Sequence, residues 1–569
     1  MSAPTLAARD VDPSAASKSA PSRAPAAYPA GVPAGIDPDA FASLHGLLLS
    51  ACARHAERPA FDFLGALLSY ADWERASAAF AGFLCETLRR EAGDRVAIML
   101  PNTLAYPVAF LGALRAGLTV VGVNPLYTPR ELAQQLADSG ATTIVIMENF
   151  AHKLAAIIAD TPVEHVVVAR LGDLVPRLKR WAFNFANTYL RHAVPPWRFD
   201  RFTMLQEVCA YTPAASLPDP AAVPDAPALL QYTGGTTGVA KGAMLSHRNL
   251  VANTLQCAAW IGPMLTEGAE RVLTPLPLYH IFSLTANMLT FAQLGGMNVL
   301  VPDPRDIRRL IATMRRTRVT TMSGVNTLFN ALGNAPEFAA LDFGDLKFAI
   351  GGGAAVQSAV AERWQAITGT ALVEGYGLTE ASPVVCINPL SQPRLGTVGL
   401  PVPSTEVAIR EVDGRPVADG KAGEVWVRGP QVMQGYWGRP EETRKTLTAD
   451  GWLLTGDIGV IEPDGFIKLL DRKKDMIIVS GFKVFPNEVE EVAVQHPGVL
   501  EAAAIAVPDA RSGQAVKLFV VPRDPALDEA ALRRYCQDNL TGYKVPRQIE
   551  FRETLPKSPV GKILRKELK

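Results

Sequence analysis

Apolar runs alternate with amphipathic stretches along the first two thirds of this 569-residue chain. A helix is predicted to begin at Thr128, because Pro129 takes the first helical position and Glu131 follows three residues after the cap. Gly140 is suited to end this helix, and the apolar residues 142–147 behind it predict a buried strand. Repeated units of this kind indicate α/β layers with mainly parallel sheets.

The same alternation continues on both sides of that unit. Residues 106–114 predict a helix that Gly117 ends, and residues 119–123 predict the next strand. Further along, the apolar residues 228–230 predict a short buried strand, and Ser246 is suited to cap a helix after the following loop. The predicted fold class is therefore α/β, with a large multi-layer N-terminal domain.

The pattern changes at the charged run of residues 471–475. Beyond it, residues 488–495 and 529–539 are helical in pattern, whereas residues 502–507 and 516–521 are strand-like. These elements predict a small mobile α+β domain on a charged hinge.

Three regions follow from these patterns. Residues 1–36 are rich in Ala, Pro and Ser, lack the continuous apolar segment of a secretory signal, and are expected to be a disordered tail. The N-terminal domain is predicted over residues 37–471 and the C-terminal domain over residues 472–569.

Residues 272–302 carry no Lys, Arg, Asp or Glu, but their prolines and a glycine pair favour buried strands and a helix over a transmembrane span.

Charge and cysteine content narrow the functional class. Lys plus Arg equals Asp plus Glu at 56 each, which argues against nucleic acid as the main partner. The six cysteines are scattered without a C-x-x-C pair, which disfavours zinc or a disulfide framework and suits reduced thiols in the cytoplasm.

Basic and aromatic residues interleave between residues 170 and 202. Such a segment suits peripheral contact with an anionic membrane surface, which would place the protein at the inner face of the cytoplasmic membrane. A surface excursion that packs its aromatic rings inward explains the same pattern, and the sequence leaves both interpretations open.

The most specific motif is an uncharged loop that ends in a lysine, residues 232–241. Glycines let backbone N–H groups approach phosphate oxygens, hydroxyls donate further hydrogen bonds, and Lys241 adds positive charge. Lys241 follows Ala240 rather than a glycine, so the loop is not a Walker A motif. The predicted phosphate-binding residues are Thr233, Gly234, Gly235, Thr236, Thr237, Gly238 and Lys241.

This loop resembles the phosphate loop of the adenylate-forming enzymes, the superfamily of acyl-CoA synthetases, luciferases and peptide-synthetase adenylation domains. Further motifs of that superfamily follow in the correct order from about residue 40 to the end. A carboxylate that faces a nucleotide needs a metal between them, so Glu380 is a plausible Mg²⁺ ligand, with Thr233 beside it. The resemblance assigns nucleotide contacts to Gly351, Gly352, Gly353, Tyr376, Gly377, Thr379, Asp457 and Arg472.

Two lysines near the C-terminus complete the set. By resemblance, Lys562 is the mobile catalytic lysine that stabilises charge during adenylation, and Lys474 is the hinge about which the small domain turns. Within the superfamily the sequence is most similar to the bacterial long-chain fatty-acid–CoA ligases, chiefly through residues 451–474, 124–131 and 324–330.

The resemblance implies ATP and CoA as co-substrates, Mg²⁺ as cofactor, a long-chain fatty acid as substrate, and it allows a homodimer. The acyl tunnel would involve Tyr279, His280, Leu284, Gly324, Val325, Thr327 and Leu328, and the pantetheine channel Ser480, Gly481 and Lys483. Some long-chain relatives carry a tryptophan gate where this chain has Leu284.

Three other functions remain open at this point. A medium-chain or aryl acid–CoA ligase shares the nucleotide chemistry and differs only in its acyl pocket. A peptide-synthetase adenylation domain is disfavoured because no carrier sequence follows Lys569. A non-catalytic lipid-binding protein would be expected to lack Lys562 or Glu380, and both are present.

Overall fold

The computed structural model describes residues 28–213, 223–233, 240–411, 413–418 and 420–568. Most of the predicted N-terminal tail, up to residue 27, therefore lies outside the described residues, as do the phosphate-loop residues Gly234, Gly235, Thr236, Thr237 and Gly238.

The strands, in chain order, are β1 Pro59–Phe63, β2 Ala66–Ser69, β3 Arg95–Met99, β4 Thr119–Gly122, β5 Thr143–Met147, β6 His165–Ala169, β7 Phe202–Met204, β8 Pro227–Thr233, β9 Lys241–Ser246, β10 Arg271–Thr274, β11 Met297–Leu300, β12 Thr321–Gly324, β13 Phe348–Gly351, β14 Leu372–Gly377, β15 Val384–Ile387, β16 Leu400–Pro401, β17 Glu406–Arg410, β18 Gly423–Arg428, β19 Gly435–Tyr436, β20 Leu453–Ile461, β21 Ile467–Arg472, β22 Ile477–Val479, β23 Phe482–Val484, β24 Val499–Asp509, β25 Gly513–Pro522 and β26 Gln548–Phe551.

The α-helices are α1 Leu44–Arg54, α2 Tyr70–Gly82, α3 Ala105–Arg115, α4 Pro129–Ser139, α5 Glu148–Ala155, α6 Arg177–Phe185, α7 Leu205–Cys209, α8 His247–Ile261, α9 Ile281–Ser283, α10 Thr290–Gln293, α11 Ile307–Thr317, α12 Asn326–Gly333, α13 Pro336–Ala339, α14 Ser358–Thr368, α15 Pro440–Thr446, α16 Pro486–Gln495 and α17 Glu529–Asn539. Single turns of 3₁₀- or π-helix extend several of them, and one such π segment, Ala186–Leu190, continues α6.

Local sequence signals explain where these helices begin and end. Thr128 caps α4 through a capping box with Glu131, and Gly140 ends it in the left-handed conformation with φ 64°. Ser246 caps α8 through a reciprocal pair of hydrogen bonds with Asn249. The helix and strand predictions for this part of the chain are confirmed.

Two large sheets form the body of the N-terminal domain, and in both most neighbouring strands run parallel. One has nine strands in the order β16-β15-β14-β13-β12-β10-β11-β1-β2, and the other has eight in the order β19-β9-β8-β4-β3-β5-β6-β7. Their apolar strands and the helices between them bury a continuous core, as expected for parallel sheets covered on both faces. The predicted α/β class with mainly parallel sheets is confirmed.

Two smaller sheets complete the molecule. Strands β17-β18-β20-β21 form an antiparallel sheet that ends at Arg472, and the C-terminal sheet has the order β23-β22-β25-β24 with β26 beside β25. The apolar cluster between the C-terminal sheet and helices α16 and α17 contains only residues from Ile477 onward. The C-terminal unit therefore has a core of its own, as the sequence predicted for a small α+β domain.

Two regions that the sequence set apart have definite surroundings. Residues 28–36, at the end of the predicted tail, pack on the large domain: the Tyr28 ring lies edge-on to Trp260 at 5.6 Å, and Ile36 N–H donates to Ser404 Oγ at 2.9 Å. The uncharged residues 272–302 form β10, short helical turns and β11, as predicted. Across the described part of the chain, no helix is both long and apolar enough to cross a membrane.

Candidate active site

Asp457 lies at the centre of the site, in strand β20. Tyr376, near the end of β14, donates from its hydroxyl to Asp457 Oδ2 at 2.6 Å. Arg472 pairs with Asp457 across β20 and β21, and its Nε lies 3.2 Å from Asp457 Oδ1. A buried carboxylate held by a phenol and a guanidinium is fixed in orientation, as recognition of paired hydroxyl groups requires.

Lys562 reaches this site from the C-terminal domain. Its loop is closed by hydrogen bonds with Ser558, whose N–H donates to Lys562 O at 2.7 Å. The loop rests on the large domain, because Thr327 Oγ1 donates to Gly561 O at 2.9 Å. Gly561 has φ 86°, and a Cβ there would lie 2.9 Å from Thr327 Oγ1, so only glycine fits this contact without strain.

The pKa values of two partly buried groups reflect this convergence. Burial, together with the positive charge of Arg472, lowers the pKa of Lys562 to about 8, although Asp457 acts in the opposite direction. Burial and the charge of Lys562 lower the pKa of His280 to about 4, so this imidazole is neutral at physiological pH. Lys562, Asp457 and His280 therefore share one region, although they come from three distant parts of the sequence.

Glu380 lies on a 3₁₀ turn directly after β14. Tyr436 donates from its hydroxyl to Glu380 Oε1 at 2.7 Å, and Met433 N–H donates to the Glu380 carbonyl at 2.8 Å. The carboxylate keeps acceptor capacity on its second oxygen. Thr233, the last residue of β8, pairs in register with Lys241 of β9 at the two ends of the phosphate loop.

This donor set fits magnesium. Mg²⁺ prefers hard oxygen ligands and is usually bound by one or two carboxylates plus substrate phosphates rather than by an all-protein cage. A carboxylate and a hydroxyl meet that description. No cluster of three or more His, Cys, Asp or Glu side chains suited to a metal occurs among the residues that the structure describes.

Lys241 is in ion-pair contact with Glu442 of helix α15. Its ammonium also lies 5.2 Å from the centre of the Tyr436 ring, whose hydroxyl is bonded to Glu380. Lys241, the predicted phosphate-binding lysine, therefore contacts the ring of the same tyrosine whose hydroxyl binds Glu380, the predicted metal ligand.

The glycines predicted beside the nucleotide occupy positions where a side chain would collide. A Cβ on Gly351 would lie 2.3 Å from Val356 Cγ2, and one on Gly377 would lie 2.2 Å from the Pro383 carbonyl oxygen. Gly352 N–H donates to Gly324 O at 3.1 Å. This bond joins the backbone wall formed by Gly351, Gly352 and Gly353 to the predicted acyl region. The backbone here is tightly packed rather than open.

The remaining predicted nucleotide residues border this wall. Gly353 has φ 76°, and a Cβ there would meet Val325 at 3.8 Å. Thr379 begins the 3₁₀ turn that contains Glu380, and its carbonyl accepts from Ser382 N–H at 3.3 Å.

The residues predicted for the acyl tunnel fall into two groups. Tyr279 and His280 lie beside the site, and the Tyr279 carbonyl accepts a hydrogen bond from Gln231 at 3.1 Å. Leu284 is fully buried at the start of a π-helical segment, and its N–H donates to the His280 carbonyl at 3.0 Å. Val325 and Leu328 belong to a buried apolar cluster of the large domain, next to Thr327 and the Lys562 loop.

The residues predicted for the pantetheine channel lie apart from this centre. Ser480 and Gly481 form the tip of the β22–β23 hairpin, and Lys483 is exposed on β23. Within the described residues, no hydrogen bond or ion pair joins the hairpin to Asp457 or Lys562. Lys474 lies in the turn between β21 and β22, where burial and the charge of Arg472 lower its pKa.

Tyr436, Glu442 and Arg565 are contacts of the site that the sequence analysis missed. Tyr436 is 56 residues from the glutamate that it binds, and Glu442 is 201 residues from Lys241. No local pattern marks such pairs, since they depend on which strands become neighbours.

The fold and this site together define an AMP-binding enzyme. The model of the AMP-binding enzyme family matches residues 48–437, and that of the AMP-binding enzyme C-terminal domain matches residues 488–562. The chain belongs to this family, which confirms the superfamily resemblance found in the sequence.

Relatives and solved structures refine the comparison. A protein of Salmonella typhimurium named long-chain-fatty-acid–CoA ligase is 52% identical over 535 residues, which cover 94% of this chain and 95% of the relative. The structure of ATP-bound MatB from Rhodopseudomonas palustris superposes with a TM-score of 0.79 at 28% identity and covers 93% of this chain and 98% of that one. The anthranilate CoA ligase AuaEII, in complex with anthranoyl-AMP, shares the fold with a TM-score of 0.83 at 24% identity, covering 94% of this chain and 97% of its own.

Proposed function

We propose that the protein is a long-chain fatty acid–CoA ligase. ATP and a fatty acid give acyl-adenylate and pyrophosphate, and CoA then takes the acyl group and releases AMP. The observation that carries this proposal is the meeting of Lys562 with the Asp457, Tyr376 and Arg472 group at a domain boundary. The similarity to a long-chain-fatty-acid–CoA ligase over nearly the whole chain supports the acyl substrate.

In the first half-reaction, a carboxylate oxygen of the fatty acid bonds to the α-phosphorus of ATP while the bond to the pyrophosphate oxygen breaks. Both reactants are anions, so alignment and charge neutralisation supply most of the catalysis. Lys562 provides positive charge between the acyl and phosphate oxygens. Asp457 accepts the ribose hydroxyls and is kept in place by Tyr376 and Arg472.

We assign the triphosphate to the loop from Thr233 to Lys241, of which residues 234–239 lie outside the described residues. Lys241 would leave Glu442 and pair with phosphate oxygens, and Glu380 and Thr233 would hold Mg²⁺. The ion supplies charge neutralisation on the phosphate oxygens when it is bound. Neutral His280 lies beside Lys562 and does not add a second positive charge near the acyl carboxylate.

In the second half-reaction the small domain turns about Lys474. Lys562 leaves the site, and the hairpin with Ser480, Gly481 and Lys483 comes to line the pantetheine channel. The CoA thiolate sulfur bonds to the acyl carbon and the bond to the AMP oxygen breaks. Separate apolar cores in the two domains support such a movement, because no shared core has to be opened.

The acyl chain follows Tyr279, His280 and Leu284 toward the stretch from Gly324 to Leu328. Each CH₂ group transferred from water into an apolar tunnel contributes about 0.8 kcal/mol, so several additional methylenes favour long chains strongly.

The test is a CoA-dependent assay with acids of different length, together with benzoate and cinnamate, monitored by both pyrophosphate and acyl-CoA. We expect the highest kcat/KM with long-chain acids. A maximum with short or aromatic acids would favour the medium-chain or aryl ligase instead. Absence of pyrophosphate release with every acid would overturn the enzyme proposal and favour the lipid-binding alternative.

We further propose that helix α6 and the π segment that follows it contact an anionic membrane surface. Trp181, Phe185 and Tyr189 stack along one face, with ring centroids 5.2 Å apart at each step. Trp181 is 69% exposed and Leu178 is 88% exposed. Exposed aromatic and aliphatic side chains beside basic ones suit the lipid headgroup region, from which a fatty acid would be taken up.

The underside of the same segment is anchored to the large domain. Phe183 packs against the main core and meets Phe63 edge-on at 6.5 Å. Asn184 accepts from Gly172 N–H at 2.8 Å, and Asn187 donates to Asn149 at 3.1 Å. Phe183 thus packs inward, as the second interpretation of the sequence expected, and the outward-facing row of Trp181, Phe185 and Tyr189 supports the membrane proposal.

A further inference from the structure

Arg565 lies three residues after Lys562 and is largely buried, with 18% of its side chain exposed. Its guanidinium makes a bidentate contact with Glu490 of α16, at 2.8 Å from Nε and 2.6 Å from Nη2. It also donates from Nη2 to Asn487 at 2.5 Å. These three residues belong to the small domain, so the contacts hold the Lys562 loop to its own domain.

The third partner of Arg565 belongs to the large domain. Arg565 Nη1 donates to Asp471 Oδ1 at 3.1 Å, and Asp471 lies in β21, where it pairs with Ile458. The other oxygen of Asp471 accepts from Asn487 N–H at 2.8 Å, at the first turn of α16. Asp471 is 1% exposed, so its charge depends on these donors.

We propose that Arg565 is a positioning residue for Lys562, and that its bond to Asp471 holds the small domain in the arrangement that forms acyl-adenylate. This inference rests on the proposed function. Asp471 precedes the hinge at Lys474 and Arg565 follows it, so a turn about that hinge separates the two charges. The Glu490 and Asn487 contacts move with the domain and remain intact.

The consequence for catalysis is specific to one half-reaction. Without the Asp471 contact, the loop keeps its shape but the small domain loses this charged attachment next to the hinge. Lys562 then occupies the nucleotide site for a smaller fraction of the time, which lowers the rate of adenylation without changing the affinity for ATP or fatty acid. Attack by CoA does not use this contact.

The test uses full-length Asp471→Asn and Arg565→Lys variants. Two assays are compared: ATP–pyrophosphate exchange with fatty acid, and acyl-CoA formation from supplied acyl-adenylate. We expect kcat for exchange to fall by about tenfold or more with KM for ATP unchanged, while acyl-CoA formation stays within about twofold of wild type. Equal loss in both assays would overturn the proposal.

Glu501→Gln is the matched control. Glu501 pairs with Lys557 at 2.7 Å and holds the same loop, but both residues lie within the small domain. This variant should leave the ratio of the two half-reactions unchanged. If it alters the ratio as strongly as Asp471→Asn does, the interdomain contact has no special role and the proposal fails.

A double-mutant cycle separates positioning from general destabilisation. If Asp471 acts through Lys562, Asp471→Asn adds no further loss of exchange in a Lys562→Ala background. A full additional loss there would overturn the proposal. If the wild-type enzyme makes acyl-adenylate but the double-mutant cycle is additive, only this inference is contradicted. If the wild-type enzyme makes no acyl-adenylate, the proposed function itself is contradicted.

Discussion

Lys562 combines two properties that seldom occur together in one lysine. It is partly buried, and it lies among the cations Arg472, Lys474 and Arg565, with Asp457 as the opposing charge. Burial and neighbouring positive charges both disfavour the ammonium form. A triphosphate brought beside Lys562 would supply negative charge to this basic region, so the site is electrostatically prepared for its nucleotide rather than for water.

Lys562→Ala should nearly abolish acyl-adenylate formation and leave acyl-CoA formation from supplied acyl-adenylate largely intact. The lysine is needed only where negative charge accumulates between carboxylate and phosphate, and loss of such a group costs about a hundredfold or more. Measuring the two half-reactions separately checks this. Comparable loss in both would contradict the proposed domain movement.

The first half-reaction should lose activity in alkaline solution. The pKa of Lys562 in the free enzyme is about 8, so below that pH it carries the charge that catalysis needs and above it the charge is lost. We expect kcat/KM for ATP in the exchange reaction to decline with an apparent pKa of about 8.

CoA is left out of that measurement so that its thiol does not contribute to the profile. Lys562→Arg is the control, since a guanidinium keeps its charge at all these pH values. We expect lower activity of this variant at every pH, without the alkaline decline. A decline of the same midpoint in the arginine variant would assign the pKa to another group.

At the scale of elements, helix α6 differs from the other long helices in having no buried residue along its described length. A helix without a fully buried side chain leaves most of its surface to solvent, to a partner or to a membrane. Its anchoring through Asn184 and Asn187 keeps the aromatic row in a fixed orientation. Such a fixed row can enter a lipid headgroup region without a large entropic cost of ordering.

Trp181→Ala should weaken binding to vesicles that contain phosphatidylglycerol by about tenfold, because a Trp side chain is among the largest contributors of apolar contact area. Co-sedimentation with vesicles of phosphatidylglycerol and phosphatidylcholine measures this. Leu395→Ala, at another exposed apolar position, is the control and should bind normally. Unchanged binding of the Trp181 variant would exclude this helix as the contact surface.

The sequence predicted elements well where their signals are local. Caps such as Thr128 and Ser246 act within four residues, and the buried strands of a parallel sheet are continuous apolar runs. The order of strands has no such signal, so the bond between Tyr376 and Asp457 became visible only in the fold. Family resemblance, rather than spacing, placed both residues at the nucleotide.

At the scale of the whole molecule, several of the described hydrogen bonds join the two domains. Besides the Arg565 contact, Asn330 donates to the Leu500 carbonyl at 3.2 Å, and Ser358 N–H donates to Glu491 at 3.1 Å. Helices α12 and α14 of the large domain provide these contacts, and α12 also contacts the Lys562 loop through Thr327. The small domain is thus held by hydrogen bonds that can be exchanged, and the two apolar cores stay closed.

Linking Ser358→Cys to Glu491→Cys with a short bismaleimide should trap the arrangement that forms acyl-adenylate. ATP–pyrophosphate exchange should then persist, while CoA-dependent turnover falls by about tenfold or more because the domain cannot turn. Each single cysteine variant treated with the same reagent is the control. It is needed because the native cysteines are free thiols that the reagent could also modify. Full CoA-dependent turnover in the linked protein would rule out the movement.

The polar seam between the domains also limits how the enzyme could be made more robust. Each neutral hydrogen bond between the domains stabilises their arrangement by about 1 kcal/mol. Such a bond can be broken by thermal motion in every catalytic cycle. Replacing Asn330 and Ser358 by leucines would bury apolar surface between the two domains. We expect this burial to raise the melting temperature. The same change would leave the enzyme stranded on its first product, holding acyl-AMP that CoA cannot reach, so heat resistance gained at this seam would come with slower turnover.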